Sequence, residues 1–204
     1  MDEKLVLKFE AIADGLANDG IAVVDNFLSE NEVVSIIDTD EFKNGLLRFK
    51  KAGVGKTQER QINESIRGDY IEWIDKATAP PAVKTYLERL SQLRTFLNQS
   101  LFLSLQDVEV HMTTYPIGAF YKRHLDQFKR DDHRKLSVIC YLNGHWNETE
   151  GGQLRIYFKN EPKDFFPRGG RLICFRSDLL EHEVLPAVRE RLSITGWMLD
   201  ARID

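Results

Sequence analysis

His124 and Asp126 stand two residues apart, His182 follows well downstream, and Arg191 opens the last polar–apolar run of the chain. Two imidazoles and one carboxylate are a ligand set that binds one face of Fe(II) and leaves the opposite positions open for a co-substrate and O₂. The run Phe120–Asp126 comes after a Pro-Ile-Gly turn signal. Read as a strand, it turns His124 and Asp126 to the same side, because strand side chains two apart share a face. His182 lies in a second short extended segment, Glu-His-Glu-Val-Leu-Pro, so a sheet folded over itself can bring it opposite that pair. Arg191 and Ser193 begin a third strand-like run, Arg-Leu-Ser-Ile-Thr-Gly-Trp. A guanidinium beside a hydroxyl on an inward face suits a carboxylate held by two hydrogen bonds. A His-x-Asp pair or a lone histidine is weak by itself. The order, the spacing and the Arg-x-Ser run together point to an oxygenase centre with an anion site.

The elements that must position these residues are readable from texture. Leu5, Phe9, Ile12, Ala13 and Leu16 recur at helical spacing before Gly20, a helix stop, and Ile21–Asp25 reads as a short buried strand. Ser29 with Glu32 three residues later is a capping-box signature and predicts a helix from Glu30 to Glu41. Residues 44–64 carry three glycines and separate strand-like Leu46–Phe49 from Ile66–Ile74, which predicts a long hairpin with a mobile tip. The basic residues Lys43, Arg48, Lys50, Lys51, Lys56, Arg60 and Arg67 in this stretch face only Glu59 and Glu64, as a solvated loop or a partner-binding flap would. Pro80 and Pro81 precede an amphipathic helix carrying Val83, Tyr86, Leu87, Leu90, Leu93 and Leu97.

From Val108 onward short alternating runs follow: Val108–Tyr115, Phe120–Asp126, Lys135–Leu142, Gln153–Phe158, Arg171–Phe175, His182–Leu185 and Arg191–Leu199, with Gly, Asn and Pro between them. Many short strands split by turns predict a sandwich or jelly-roll barrel. The expected fold is therefore α+β: a double-stranded β-helix core in residues 101–204, supported by helices and a substrate-binding hairpin in residues 1–100, all in one domain. His111, His133 and His145 have no partner at useful spacing and read as surface or core histidines. Gly151-Gly152 reads as a turn before a strand, not a phosphate loop, since no helix follows.

Composition bounds the rest. At 204 residues, 42% hydrophobic and 29% charged, the chain fits one globular domain. No apolar run is long enough for a membrane span. The early charges of the N-terminus are unlike a secretory signal. Cys140 and Cys174 match no metal pattern, which suits a reducing cytoplasm. A net charge of −4 and a pI near 5.8 argue against general attraction to nucleic acid.

Further motifs resemble a known family. Ile66-Arg67-Gly68-Asp69 with Trp73, Tyr115-Pro116, Tyr121 to Asp126, Tyr141-Leu142-Asn143, Gly151-Gly152 with Leu154-Arg155-Ile156, and His182-Glu183-Val184 together resemble the Fe(II)- and 2-oxoglutarate-dependent dioxygenases. Within them they are most similar to the oxygen-sensing type of prolyl 4-hydroxylase, in a bacterial-like form limited to the catalytic domain. The resemblance runs from about residue 66 to 199. It implies that His124, Asp126 and His182 hold the iron and that 2-oxoglutarate chelates it. The far carboxylate of 2-oxoglutarate would pair with Arg191, beside Ser193, and accept a hydrogen bond from Tyr141. Ile139 would share the inward face with Tyr141, Tyr115 would stand at the metal end, and Ser137 would add a hydroxyl beside the co-substrate. Leu154, Val184 and Trp197 would form a dry wall that excludes water. By composition alone these residues would fill any barrel core, and only their register with the triad singles them out.

The implied activity is hydroxylation of a prolyl residue in a protein, such as a translation factor, with ascorbate as a stimulant. Arg67, Asp69, Trp73, Tyr121 and Arg134 would contact the substrate protein. A monomer or weak dimer in the cytoplasm is expected, with neither nucleic acid nor membrane as partner. Alternatives are an oxygenase acting on a small molecule, a nucleic-acid demethylase, and a jelly-roll binding module without catalysis. The demethylase reading is disfavoured by Gly196 and Trp197, which stand where those enzymes typically carry a further base-reading arginine. The intact triad with Arg191 argues against the binding module.

Overall fold

The computed structural model describes residues 2–53, 63–127 and 132–201. Lys56, Glu59 and Arg60 of the basic stretch lie outside these residues. Helix α1 (Glu3–Asp19) starts at Asp2, whose side chain accepts from the Lys4 N–H, and stops at Gly20, which takes the left-handed conformation. Its buried stripe is Phe9, Ile12, Ala13 and Leu16. Strand β1 (Ile21–Val24) follows, then α2 (Glu30–Ile37), opened by the reciprocal Ser29–Glu32 capping box. The expected continuation to Glu41 does not form. Thr39 turns extended and its hydroxyl donates to the Ile36 carbonyl at 2.8 Å, so the chain restarts as α3 (Asp40–Lys43).

The strand expected at Leu46–Phe49 is instead helix α4 (Gly45–Arg48). Its apolar run is not a buried face: Leu47 is 92% exposed, while Phe49 packs edge-on against Phe42. The hairpin is nevertheless present one step later. Strand β2 (Lys50–Lys51) pairs with β3 (Tyr70–Trp73), and Lys51 also pairs with Glu64, which offsets part of the local positive excess. Helix α5 (Pro81–Leu101) has proline in its first turn and buries Val83, Tyr86, Leu90, Leu93 and Leu97.

The remaining strands are β4 (Leu105–Tyr115), β5 (Tyr121–His124), β6 (Arg134–Tyr141), β7 (Leu154–Tyr157), β8 (Pro162–Phe165), β9 (Leu172–Arg176), β10 (His182–Val184) and β11 (Arg191–Asp200). Only β8 lacks a counterpart in the sequence reading. It begins at proline, pairs on one side and is mostly exposed, so no alternating pattern marks it. A seven-stranded sheet runs β1-β9-β6-β11-β4-β3-β2 and a four-stranded sheet β5-β10-β7-β8, with antiparallel pairing throughout. This is the expected jelly roll.

Strand alternation divides the core in two. One face of the large sheet carries Val110, Met112, Leu136, Val138, Cys140, Ile194 and Met198 and packs with the helix stripes of α1 and α5. The other carries Tyr115, Ile139, Tyr141, Ile173 and Phe175 and meets Leu154, Ile156 and Val184 of the small sheet. Burying a side chain of this size stabilises by roughly 1.5–3 kcal/mol, so both layers contribute. The second layer is also the interior from which the site opens. Among the described residues no helix is long and apolar enough to cross a membrane.

Candidate active site

His124 ends β5 and lies directly across from His182 in β10, with ring centroids 4.3 Å apart. Cross-strand pairing therefore brings together two histidines distant in sequence. Asp126 is placed differently from the expectation, since β5 stops at His124 and the carboxylate comes from the turn just after it. The Nδ1 of each histidine faces a carbonyl two residues back, His124 to Lys122 at 2.7 Å and His182 to Leu180 at 3.1 Å. A carbonyl only accepts, so each Nδ1 carries a proton and each ring turns its Nε2 inward. His124 Nε2 is 3.5 Å from Asp126 Oδ1, and His182 Nε2 is 3.6 Å from Oδ2.

The three groups can offer ligand atoms all within 4.8 Å of one another. Burial, then the charge of His124, hold the His182 pKa down to about 4, so it is neutral near pH 7. The Asp126 carboxyl lies far below its usual range: burial opposes ionisation but is outweighed by His182, His124 and Ser137. Two imidazoles and an ionised carboxylate converging in this way could hold a cation. The donor set fits Fe(II).

Arg191 opens β11 opposite Tyr115 of β4 and is 2% exposed. Its Nε donates to the Gly152 carbonyl at 3.0 Å, and its guanidinium carbon lies 4.8 Å from the Tyr115 ring centre and 4.9 Å from that of Tyr141. Among the described residues no carboxylate pairs with it. A buried cation without an anion is strongly unfavourable. Ser193 follows on the same face, in register with Tyr141, and shares a hydroxyl contact with Thr195 at 3.2 Å. Among the described residues, neither the buried Tyr141 hydroxyl nor the buried Trp197 indole N–H has a well-formed hydrogen-bond partner. Burial raises the pKa of Tyr115 and Tyr141, which keeps both as phenols able to donate. A guanidinium without a carboxylate partner, beside a phenol, fits the far carboxylate of 2-oxoglutarate. Ile139, Leu154 and Val184 belong to the apolar cluster around it.

Ser137, expected beside the co-substrate, donates its hydroxyl to Asp126 Oδ2 at 2.6 Å and meets Ser177 Oγ at 2.8 Å. Arg67 makes a bidentate pair with Asp69, at 2.7 and 2.6 Å, and lies 4.1 Å from the Tyr121 ring centre. Tyr121 in turn stacks on His124, with centroids 3.6 Å apart and planes 17° from parallel. Trp73 is half-exposed and packs on His111 and Trp197, and Arg134 covers Trp197 at 3.4 Å while bonding Glu109. The residues expected to contact substrate are thus tied to the metal ligand His124 or to Trp197.

His111 was read as a histidine without a partner. It lies in the core, one of the two placements left open, and its Nδ1 lies 2.8 Å from the Thr113 hydroxyl while its ring contacts two tryptophans. His133 also has a partner, Asp200 at 3.1 Å. Gly152 is the residue whose role the sequence hid. Both Gly151 and Gly152 have positive φ, as a turn predicts, but the second also supplies the carbonyl that fixes Arg191.

Comparison with known proteins identifies the family. A family model of the 2OG-Fe(II) oxygenase superfamily matches residues 110–199. The crystal structure of a Pseudomonas putida prolyl-4-hydroxylase is 40% identical, covers 95% of this chain and 100% of its own, and superposes with a TM-score of 0.85. A Trichoplax adhaerens prolyl hydroxylase, solved with a hypoxia inducible factor oxygen degradation domain peptide fragment, is 28% identical, with coverage of 97% and 91% and a TM-score of 0.83. The human Egl nine homolog 1 is 32% identical over 97% of this chain, which spans 48% of that relative's length. On these matches, the chain belongs to the prolyl hydroxylase branch of the 2OG-Fe(II) oxygenase superfamily.

Proposed function

We propose that this protein hydroxylates a prolyl residue of a protein substrate, using Fe(II), 2-oxoglutarate and O₂ and releasing succinate and CO₂. The observation that carries the reading is the buried Arg191 guanidinium, without a carboxylate partner among the described residues, beside the Tyr141 hydroxyl in the same barrel interior as the His-Asp-His triad. His124, Asp126 and His182 would hold the iron, and the bound iron with 2-oxoglutarate supplies the O₂ activation needed to oxidise a C–H bond. The chain's own contribution is positioning. Arg191 and Tyr141 anchor the co-substrate through its far carboxylate, Tyr121 and the backbone carbonyls fix the ligand rings, and Leu154, Ile139 and Val184 keep water out.

The choice of proline is supported by the Pseudomonas putida prolyl-4-hydroxylase, matched along its full length, and the choice of a protein by the peptide complex of the Trichoplax adhaerens relative. Two buried, free thiols support a reducing, cytoplasmic setting. The test is mass spectrometry of lysate proteins incubated with the purified enzyme, Fe(II) and 2-oxoglutarate. A mass gain of about 16 Da on proline, lost in the Asp126→Ala variant, is expected because one oxygen atom is inserted. Oxidation confined to small molecules, nucleic acid or a different residue would overturn the assignment.

A further inference from the structure

Asp126 is the one metal-ligand candidate that sits on irregular backbone, and two buried hydroxyls hold it from behind. Ser137 lies in β6 and Ser177 just beyond β9, and both are 0% exposed. Ser137 Oγ is 2.6 Å from Asp126 Oδ2 and 2.8 Å from Ser177 Oγ. Each hydroxyl owns one proton, and an ionised carboxylate can only accept. Ser137 therefore spends its proton on Asp126, and Ser177 must donate to Ser137. The chain has one direction, from Ser177 through Ser137 to Asp126.

Ser177 is itself fixed by backbone. Its N–H donates to the Lys135 carbonyl at 3.1 Å, and its carbonyl accepts from the N–H of Gln127, the residue after Asp126, at 3.3 Å. The turn carrying the carboxylate is thus clipped to the end of β9 twice, once through side chains and once through backbone. Consecutive hydrogen bonds polarise one another, and the last one is charge-assisted, so the outer serine strengthens the bond made by the inner one.

We propose that Ser177 is a positioning residue for the metal: with Ser137 it forms an oriented hydroxyl relay that sets the direction of the Asp126 carboxylate without touching the ion. This rests on the reading of His124, Asp126 and His182 as the iron site. By engaging Oδ2, the relay biases Asp126 toward ligation through one oxygen, which leaves positions for a chelating co-substrate and O₂. Buried partners of metal ligands commonly change affinity by about 10- to 100-fold when removed.

The experiment uses metal-free protein and Co(II), whose visible absorption reports ligand geometry. Ser177→Ala is expected to weaken Co(II) binding by about 10- to 100-fold and to change the absorption band, with the melting temperature of the metal-free protein nearly unchanged. Ser177→Thr, which keeps a hydroxyl, should return both toward wild type, and Ser137→Ala should be at least as severe as Ser177→Ala. Asp126→Ala tests the underlying site: wild-type Co(II) binding in that variant would remove the iron-site reading itself. If Asp126→Ala loses binding but Ser177→Ala keeps wild-type affinity and spectrum, the site stands and the relay is wrong. Loss in Ser177→Ala that tracks a large fall in metal-free stability, without recovery in Ser177→Thr, would assign the serine to the fold and equally overturn the proposal.

Discussion

Because the two Nδ1–H groups are committed to backbone carbonyls, the three ligand side chains have no way to satisfy one another, and removing any of them leaves an incomplete coordination face. His124→Ala, Asp126→Ala and His182→Ala should each abolish 2-oxoglutarate turnover, measured as succinate formation. Full activity in any purified variant would remove that residue from the site. Arg191 acts separately. Arg191→Ala should raise the KM for 2-oxoglutarate by an amount equivalent to about 2–5 kcal/mol, the range for a buried carboxylate that loses its charged partner. Tyr141→Phe should act in the same direction by about 0.5–1.5 kcal/mol. Co(II) affinity should hold in both, and an equal loss of metal binding would show that Arg191 supports the fold instead. The grouping of His124, Asp126 and His182 was legible from residue type and spacing. The hydrogen bond from Ser137 to Asp126 was not, since period two turns a buried hydroxyl inward without saying which acceptor it reaches.

Elements were readable where buried apolar runs are bounded by turn residues. Strands β4, β6 and β11 are buried on both faces over most of their length and lie close to where their apolar runs predict. The sequence failed at β8, which has no buried face to reveal it, and at α4, where an apolar run is exposed. It also could not show that β5 ends before Asp126, because the pairing of β5 with β10 is a long-range fact. The turn before β7 shows how an element serves the site. Gly152 has φ +71°, and an added Cβ would stand 2.9 Å from both Ala187 Cβ and Trp146. Its carbonyl holds Arg191. Gly152→Ala should therefore cost about 1–3 kcal/mol through backbone strain alone. It should lower the melting temperature and raise the 2-oxoglutarate KM together, with Co(II) affinity little changed. An unaltered KM would mean that Arg191 is held without this carbonyl.

The whole molecule places His111 where no local signal could. Trp73 from β3 and Trp197 from β11 close on its ring, at centroid distances of 5.1 and 5.6 Å, and it is 3% exposed. Burial, and then the charge of Arg67, hold its pKa down to about 4, with Arg134 adding in the same sense and Asp69 opposing. An unfolded histidine titrates near 6.5. Between pH 6.5 and about 4 the unfolded chain therefore takes a proton that the folded protein refuses, and stability falls as pH drops through this window. Above it both states are neutral, and below it both are charged, so the contribution is constant outside those limits. The full difference amounts to roughly 3 kcal/mol at most for this group. His182 adds a similar slope in metal-free protein, so the comparison must isolate His111. Urea unfolding of metal-free wild type and His111→Leu at pH 7 and pH 4.5 provides it: the wild type should lose about 2 kcal/mol more than the variant on acidification. Equal losses would show that His111 accepts its proton inside the fold, and that the layer formed by Trp73 and Trp197 does not keep it neutral.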